Sequence, residues 1–327
     1  MPEESDVARR FIAKQAQLEA KIAEWQAAAP DVLRVDSVMS YAGLPVYGLT
    51  LSDWRVPRAE KRAQYISQPH AHEPGATAGM ADVIEQLVTG RDLDGRPTSL
   101  DVDRLLARAV ITFNPIANPQ GREAAPVLYW DGSQYTNDEF WCWMRGEDPD
   151  RPGKIWERYA IWDRREVRAP ERVGIVYEQI DEYRYVEPNR SRLSSFFRLF
   201  ALLDAEHHYD RWLDLHQTEF VNSDDTCEVL LPLEGLATGR IAEENVAWGR
   251  RVIRRWQEEG MAARPVPRPT GYTDIQADYL RAAWADLLQR LSHLTIEVKN
   301  NAPVATPDFQ RRCEALAVEA TLAMLLE

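Results

Sequence analysis

An α/β fold, a mixed and largely parallel β-sheet flanked by helices on both faces, is predicted from three observations. Short β-rich runs alternate with longer stretches whose apolar residues recur every three or four positions. The run from Ala109 to Phe113 is apolar but for Thr112, as suits a strand buried on both faces. The runs ending near Gln68 and Phe113 lead straight into polar loops, where open α/β sheets carry their sites. No internal repeat is visible, and residues 1–327 read as a single domain.

Taken in order, residues 5–29 place Val7, Phe11, Leu18, Ile22 and Trp25 at helical spacing before Pro30, which predicts an amphipathic N-terminal helix within residues 1–30. VLRVDSVMS and LPVYGLTLS, separated by YAG, predict an antiparallel pair, and AQYISQ a strand that ends just before His70. GATAGMADVIEQLVTG is a helix with Gly90 as its stop. DVDRLLARAVITFNPIANPQG gives helix, buried strand and loop. Residues 122–172 hold five of the eleven tryptophans among Pro, Gly and mixed charge, and read as a partly structured insertion. RVGIVYEQI is a candidate strand, SSFFRLFALLDAEHHYDRW a helix, and WLDLH a short strand. A helix over roughly 243–259, the proline-stiffened loop RPVPRPTG, a helix around 278–290, the strand HLTIEV and a terminal helix from Pro307 complete the chain.

With 45% apolar and 28% charged residues, the composition is that of a folded globular chain. The net charge of −13 disfavours nucleic acid and anionic membrane as partners. Charges occupy the N-terminal residues where a secretory signal needs an apolar core, and no apolar run approaches the roughly 20 residues of a membrane span. A cytoplasmic location is therefore expected. Cys142, Cys227 and Cys313 lack metal or redox spacing and read as free thiols. Nothing in the sequence addresses oligomeric state.

The chemistry centres on QPHAHEPGA. His70 and Glu73 could supply two ligands of a zinc ion, but an isolated H-x-x-E says little until its partners are found. His216 is the best third ligand, because it ends a strand-like run and carries Asp214 two residues earlier as a neighbour to orient its ring. His207 and His208 fall within a helix, and His293 merely precedes a strand. Glu297 is a carboxylate inside an apolar β-branched run, costly to bury without a purpose and so a candidate base.

In order, PHAHE, NPQGR, EPNRS, DLHQT and TIEVK resemble the motif series of the zinc carboxypeptidase family (peptidase family M14, carboxypeptidase A-like): H-A-R-E, N-P-D-G, D-x-N-R, D-x-H and T-x-E. The opening pair of strands also resembles that family's first hairpin. The resemblance implies one Zn2+ per chain held by His70, Glu73 and His216, with Glu297 as general base. It further implies that Asn189 and Arg190 hold a terminal carboxylate, a task suited to a guanidinium beside an amide. Arg145 is the candidate for the arginine that polarises the scissile carbonyl. The chain departs from the family at His72, where an arginine is usual, so His72 becomes a subsite residue, and at Gln120, which replaces an aspartate. Tyr272 is the candidate to substitute for the family's closing tyrosine, unless nothing does, and an ungapped count puts Asp274 on the floor of the side-chain pocket, where it would favour a basic residue.

The resemblance thus implies a zinc-dependent metallocarboxypeptidase that cuts a C-terminal peptide or peptide-like amide, with water at the zinc activated by Glu297. Its partner would be a peptide or amino-acid-derived small substrate with a free carboxylate. An aspartoacylase-like deacylase or amidase is the alternative, set back because only 30 residues follow Glu297 where those proteins carry a further β-rich domain. A third reading is a non-catalytic binding protein recruiting partners through exposed tryptophans of the 122–172 segment.

Overall fold

The computed structural model describes Val7 and residues 10–327. Its main sheet has eight strands. These are β1 (Leu33–Met39), β2 (Pro45–Leu51), β3 (Arg62–Ser67), β4 (Ala109–Asn114), β8 (Arg211–Thr218), β9 (Cys227–Leu231), β10 (Arg268–Pro269) and β11 (Ser292–Lys299), in the order β1-β2-β4-β3-β8-β11-β9-β10. The centre, β4-β3-β8-β11, is parallel, and so is the β9–β10 pair, whereas β1 with β2, β2 with β4, and β9 with β11 pair antiparallel. The sheet is therefore mixed and largely parallel, as expected.

Because side chains alternate across a strand, the sheet carries two cores. On one face Ile66, Leu213, Leu215, Leu294 and Ile296 pack with helices α1 (Gln15–Ala28), α2 (Pro74–Thr89), α3 (Val102–Arg108), α7 (Gly239–Glu258) and α9 (Pro307–Ala323). On the other, Tyr65 and Trp212 pack with α6 (Ser195–His207) and α8 (Ile275–Leu288). Gly90 ends α2 in the left-handed conformation (φ 75°), which a glycine adopts without steric cost.

Several boundaries differ from expectation. The N-terminal helix starts at Gln15, after a non-helical stretch at residues 11–14; residues 1–6, 8 and 9 lie outside the described residues. RVGIVYEQI is almost entirely irregular, and only Glu178 and Gln179 form a strand, β6. Strand β9 has no counterpart in the sequence reading. His293 lies within β11 rather than before it.

The tryptophan-rich segment contains α4 (Pro119–Ala124) at its start, α5 (Asn137–Arg145) and β5 (Ile161–Asp163). A second, antiparallel sheet joins β5 to β7 (Arg184–Val186) and β7 to β6. Trp130, Trp156 and Trp162 are buried. Trp162 meets Trp156 edge-on at 4.4 Å and stacks on Tyr185 at 4.6 Å, and Trp130 meets Phe140 at 4.9 Å. These rings build the segment's own core, which removes the basis for an exposed aromatic interface.

Glu178 accepts a hydrogen bond from the Ser195 amide (2.8 Å) at the start of α6. Burial nevertheless pushes its carboxyl from 4.5 up to about 7. The protonated form is then the one the fold prefers, so this group's stabilisation is full below pH 4.5 and lost as pH rises through about 7. Glu178→Gln is expected to unfold at a higher temperature than the native protein at pH 8, by up to about 3 kcal/mol, with a smaller difference at pH 5. Melts showing the same difference at both pH values would refute this.

Candidate metal centre and active site

Three loops and strands converge at the carboxyl edge of the parallel strands. His70 lies beyond β3, in a loop held by Arg122, whose buried guanidinium donates to Gln68 Oε1 (3.0 Å) and to the His70 carbonyl (3.3 Å). Glu73 occupies the N-cap position of α2, with Pro74 as the first helical residue. His216 is carried by β8, on the face occupied by Trp212.

The donor atoms of His70, Glu73 and His216 lie within 4.8 Å of one another, and all three residues are buried. His70 Nδ1 is 3.0 Å from Glu73 Oε1, His216 Nδ1 is 3.1 Å from Glu73 Oε2, and the two Nδ1 atoms are 3.1 Å apart. Two imidazole nitrogens that face each other so closely need a proton or a cation between them. Ligands about 2.05 Å from a tetrahedral zinc lie roughly 3.3 Å apart, so the donor set fits that ion. The far nitrogens are also engaged, as metal-ligating histidines require. His216 Nε2 faces Asp214 Oδ2 at 2.9 Å, and Asp214 accepts from Ser67 Oγ at 2.8 Å. His70 Nε2 faces Asn189 Oδ1 at 3.1 Å and Glu187 Oε1 at 3.3 Å. Burial alone would raise the Glu73 carboxyl, but His70, His216 and His72 around it hold it well below the usual carboxylate range.

Glu297 stands beside His216 in the register of β11 on β8, so both side chains leave the same face. On its other flank Glu228 of β9 is neutralised by Arg264 (2.7 Å) and Arg268 (2.6 and 2.8 Å). Burial, with Glu73 and Glu228 adding to it against His216, pushes the Glu297 carboxyl up to about 8. Its Oε2 is buried with no hydrogen-bond partner among the described residues.

Pro188, Asn189 and Arg190 form a single 3-10 turn after Glu187. Arg190 donates to Asn189 Oδ1 (2.7 Å), and its Nε is buried without a partner. Arg145 ends α5, and Gly174 lies so close to it that a Cβ there would come within 2.3 Å of the Arg145 Cα. The Arg145 guanidinium makes no hydrogen bond or ion pair among the described residues and lines the same cavity. Tyr272 also lines it, 5.4 Å from the Arg190 guanidinium. His72 stacks on His70 (5.2 Å), and burial pushes its imidazole down to about 4.

Asp274 is a correction. Its carboxylate caps α8 by accepting from the Gln276 amide (2.9 Å), and it is exposed and absent from the cavity wall. Sequence reasoning also missed two residues that the structure brings in. Glu187 was legible as the acid of EPNR, three residues before Arg190. Arg158 carried no signal: it comes from the tryptophan-rich segment, pairs with Glu187 through two nitrogens and donates to the Tyr272 hydroxyl at 2.7 Å.

Two histidines and a carboxylate at the edge of a parallel sheet, with a further carboxylate beside them on the same face and all four lining a cavity of about 390 Å³, form the arrangement of a metal-dependent hydrolase. The family model described as zinc carboxypeptidase matches residues 18–199, and the chain belongs to that family. Among curated proteins, no sequence matches the chain. Solved structures do. A metallo-carboxypeptidase from Burkholderia cenocepacia is 17% identical with a TM-score of 0.56, the match covering 94% of this chain and 68% of that one. Bovine thrombin-activatable fibrinolysis inhibitor, solved with tick carboxypeptidase inhibitor, is 15% identical with a TM-score of 0.59, covering 97% and 98%. Carboxypeptidase A from Helicoverpa armigera is 16% identical with a TM-score of 0.57, covering 96% and 75%. At such identities the likeness is one of fold.

Proposed function

We propose that this protein is a zinc metallocarboxypeptidase, releasing the C-terminal residue of a peptide or peptide-like amide that carries a free carboxylate. The observation that carries this reading is a single cavity lined by His70, Glu73, His216, Glu297, Asn189 and Arg190. His70, Glu73 and His216 would hold one zinc ion, which would supply Lewis acidity, lowering the pKa of water and polarising an amide carbonyl. Glu297 takes one proton from the attacking water as the C–O bond forms and then returns it to the amine nitrogen as the C–N bond breaks, so the proton count balances. Arg145 faces the carbonyl oxygen as negative charge develops there. Asp214 and Glu187 fix the two imidazole rings from behind.

Asn189 and Arg190 anchor the terminal carboxylate, and this distinguishes an exopeptidase from other amide hydrolases. An N-acyl dipeptide with a free C-terminus is expected to be cut, and its C-terminal amide to be cut poorly. Arg190→Met should lower kcat/KM on the free acid roughly a hundredfold, the cost of a lost charge-assisted hydrogen-bond pair. Equal cleavage of acid and amide by the native protein would overturn the assignment. Preference for N-acetyl amino acids over peptides would move the reaction to the deacylase class.

A further inference from the structure

The cavity extends past the metal centre along β11. Glu297, Thr295 and His293 alternate on that strand and all three line the cavity, paired in register with His216, Asp214 and Trp212 of β8. Four residues of extended chain separate the Cα atoms of Glu297 and His293 by about 13 Å, so His293 stands one bulky side chain deeper than the reacting centre. The cavity it helps line has a largely apolar part, contributed by Leu230, Leu233, Leu236, Leu280, Trp284 and Leu288.

His293 is out of keeping with these walls. It is 6% exposed, and neither Nδ1 nor Nε2 has a hydrogen-bond partner among the described residues. Its nearest ring neighbour is Trp284, 4.8 Å away, whose own N–H is taken by the Asn189 carbonyl (2.9 Å). A buried imidazole with both nitrogens unpaired has lost its hydrogen bonds to water and gained none in return. Placed at the deep end of a binding cavity, it is satisfied when a ligand brings the matching polar atom.

We propose that His293 is a specificity-determining residue, and that the pocket it closes selects a C-terminal tyrosine, or another residue with an apolar body tipped by a neutral hydroxyl. The assignment rests on the carboxypeptidase reading. Burial pushes the His293 imidazole down to about 4, so at neutral pH it offers one donor and one acceptor. A phenolic hydroxyl answers whichever nitrogen faces the cavity, donating to it if it is bare or accepting from it if it carries the N–H. Leucine and tryptophan walls suit the ring that carries it. Phenylalanine would fit the walls and leave His293 unsatisfied. Asp214, the carboxylate two residues from Trp212 on the strand beside His293, is already bonded to Ser67 and His216 and so is not free to pair with a lysine or arginine side chain.

The test has two arms, both on the full-length zinc-loaded protein. In the first, N-acyl-Gly-Tyr and N-acyl-Gly-Phe are compared as substrates. Native protein should favour tyrosine roughly tenfold in kcat/KM, His293→Phe should erase or reverse the preference, and His293→Gln, which keeps a donor and an acceptor, should retain it. In the second, calorimetry compares 3-(4-hydroxyphenyl)propionate with 3-phenylpropionate, which reads the pocket without any bond being cut. A native preference for the hydroxylated acid that vanishes in His293→Phe supports the proposal. Equal binding by native protein, or a preference that survives in His293→Phe, overturns it. Absence of hydrolysis together with a His293-dependent binding preference would fail the carboxypeptidase reading alone. Circular dichroism melts on both variants check that the pocket is still folded.

Discussion

Glu297→Gln should abolish hydrolysis, lowering kcat by roughly 10³-fold or more, while the protein still binds one zinc ion per chain. Gln preserves shape and one carbonyl oxygen but cannot accept the proton of the attacking water. Glu297 leaves the same sheet face as His216 and is in register with it, so the substitution changes the chemistry of that face without disturbing the β8–β11 pairing. Glu228, the other carboxylate in register, cannot take over, because Arg264 and Arg268 already occupy both its oxygens. The informative comparison is activity against metal content in one preparation. Full activity in the variant would remove Glu297 from the mechanism, and loss of zinc with loss of activity would recast it as a structural residue.

His216→Ala is the second large effect. Removing one of three protein ligands should bring zinc content below stoichiometry and activity to background. Because a ligand that binds only the folded state stabilises it by mass action, native protein should also lose thermal stability when treated with a chelator and regain it on adding zinc. The variant should melt at the same temperature with and without chelator. If it instead keeps a chelator-sensitive transition of native size, His70 and Glu73 are binding the ion with some other partner.

The parts of the site legible in the sequence were those where local pattern and chemistry coincide. His70 follows a strand directly, His216 lies two residues after Asp214, and Glu297 is an acid in an otherwise apolar run. Each is anomalous against its own flanks, and β8 beside β11 turns two such anomalies into neighbours. What was not legible depends on chain brought from far away. Asp274 was placed by counting along a loop, but an aspartate just before a helix finds the free amides of that helix first. His293 looked like a residue before a strand, and only the pairing of β11 with β8 turns it towards the cavity. Arg158 lies 29 residues from the glutamate it serves, within a segment whose sequence advertises only its tryptophans. Strand β9 is five residues long, and its place is fixed by β11 rather than by its own composition.

The small sheet has a consequence for the metal. β7 runs directly into Glu187, whose amide donates to the Ala160 carbonyl (3.0 Å) and whose carboxylate is shared between Arg158 and His70. Any local opening of that sheet therefore releases the carboxylate that orients His70 in the candidate metal centre. The free energy of opening and the affinity for the ion are linked, each changing the other by the same amount. A segment that looks in sequence like an accessory insertion is in this sense part of the binding constant.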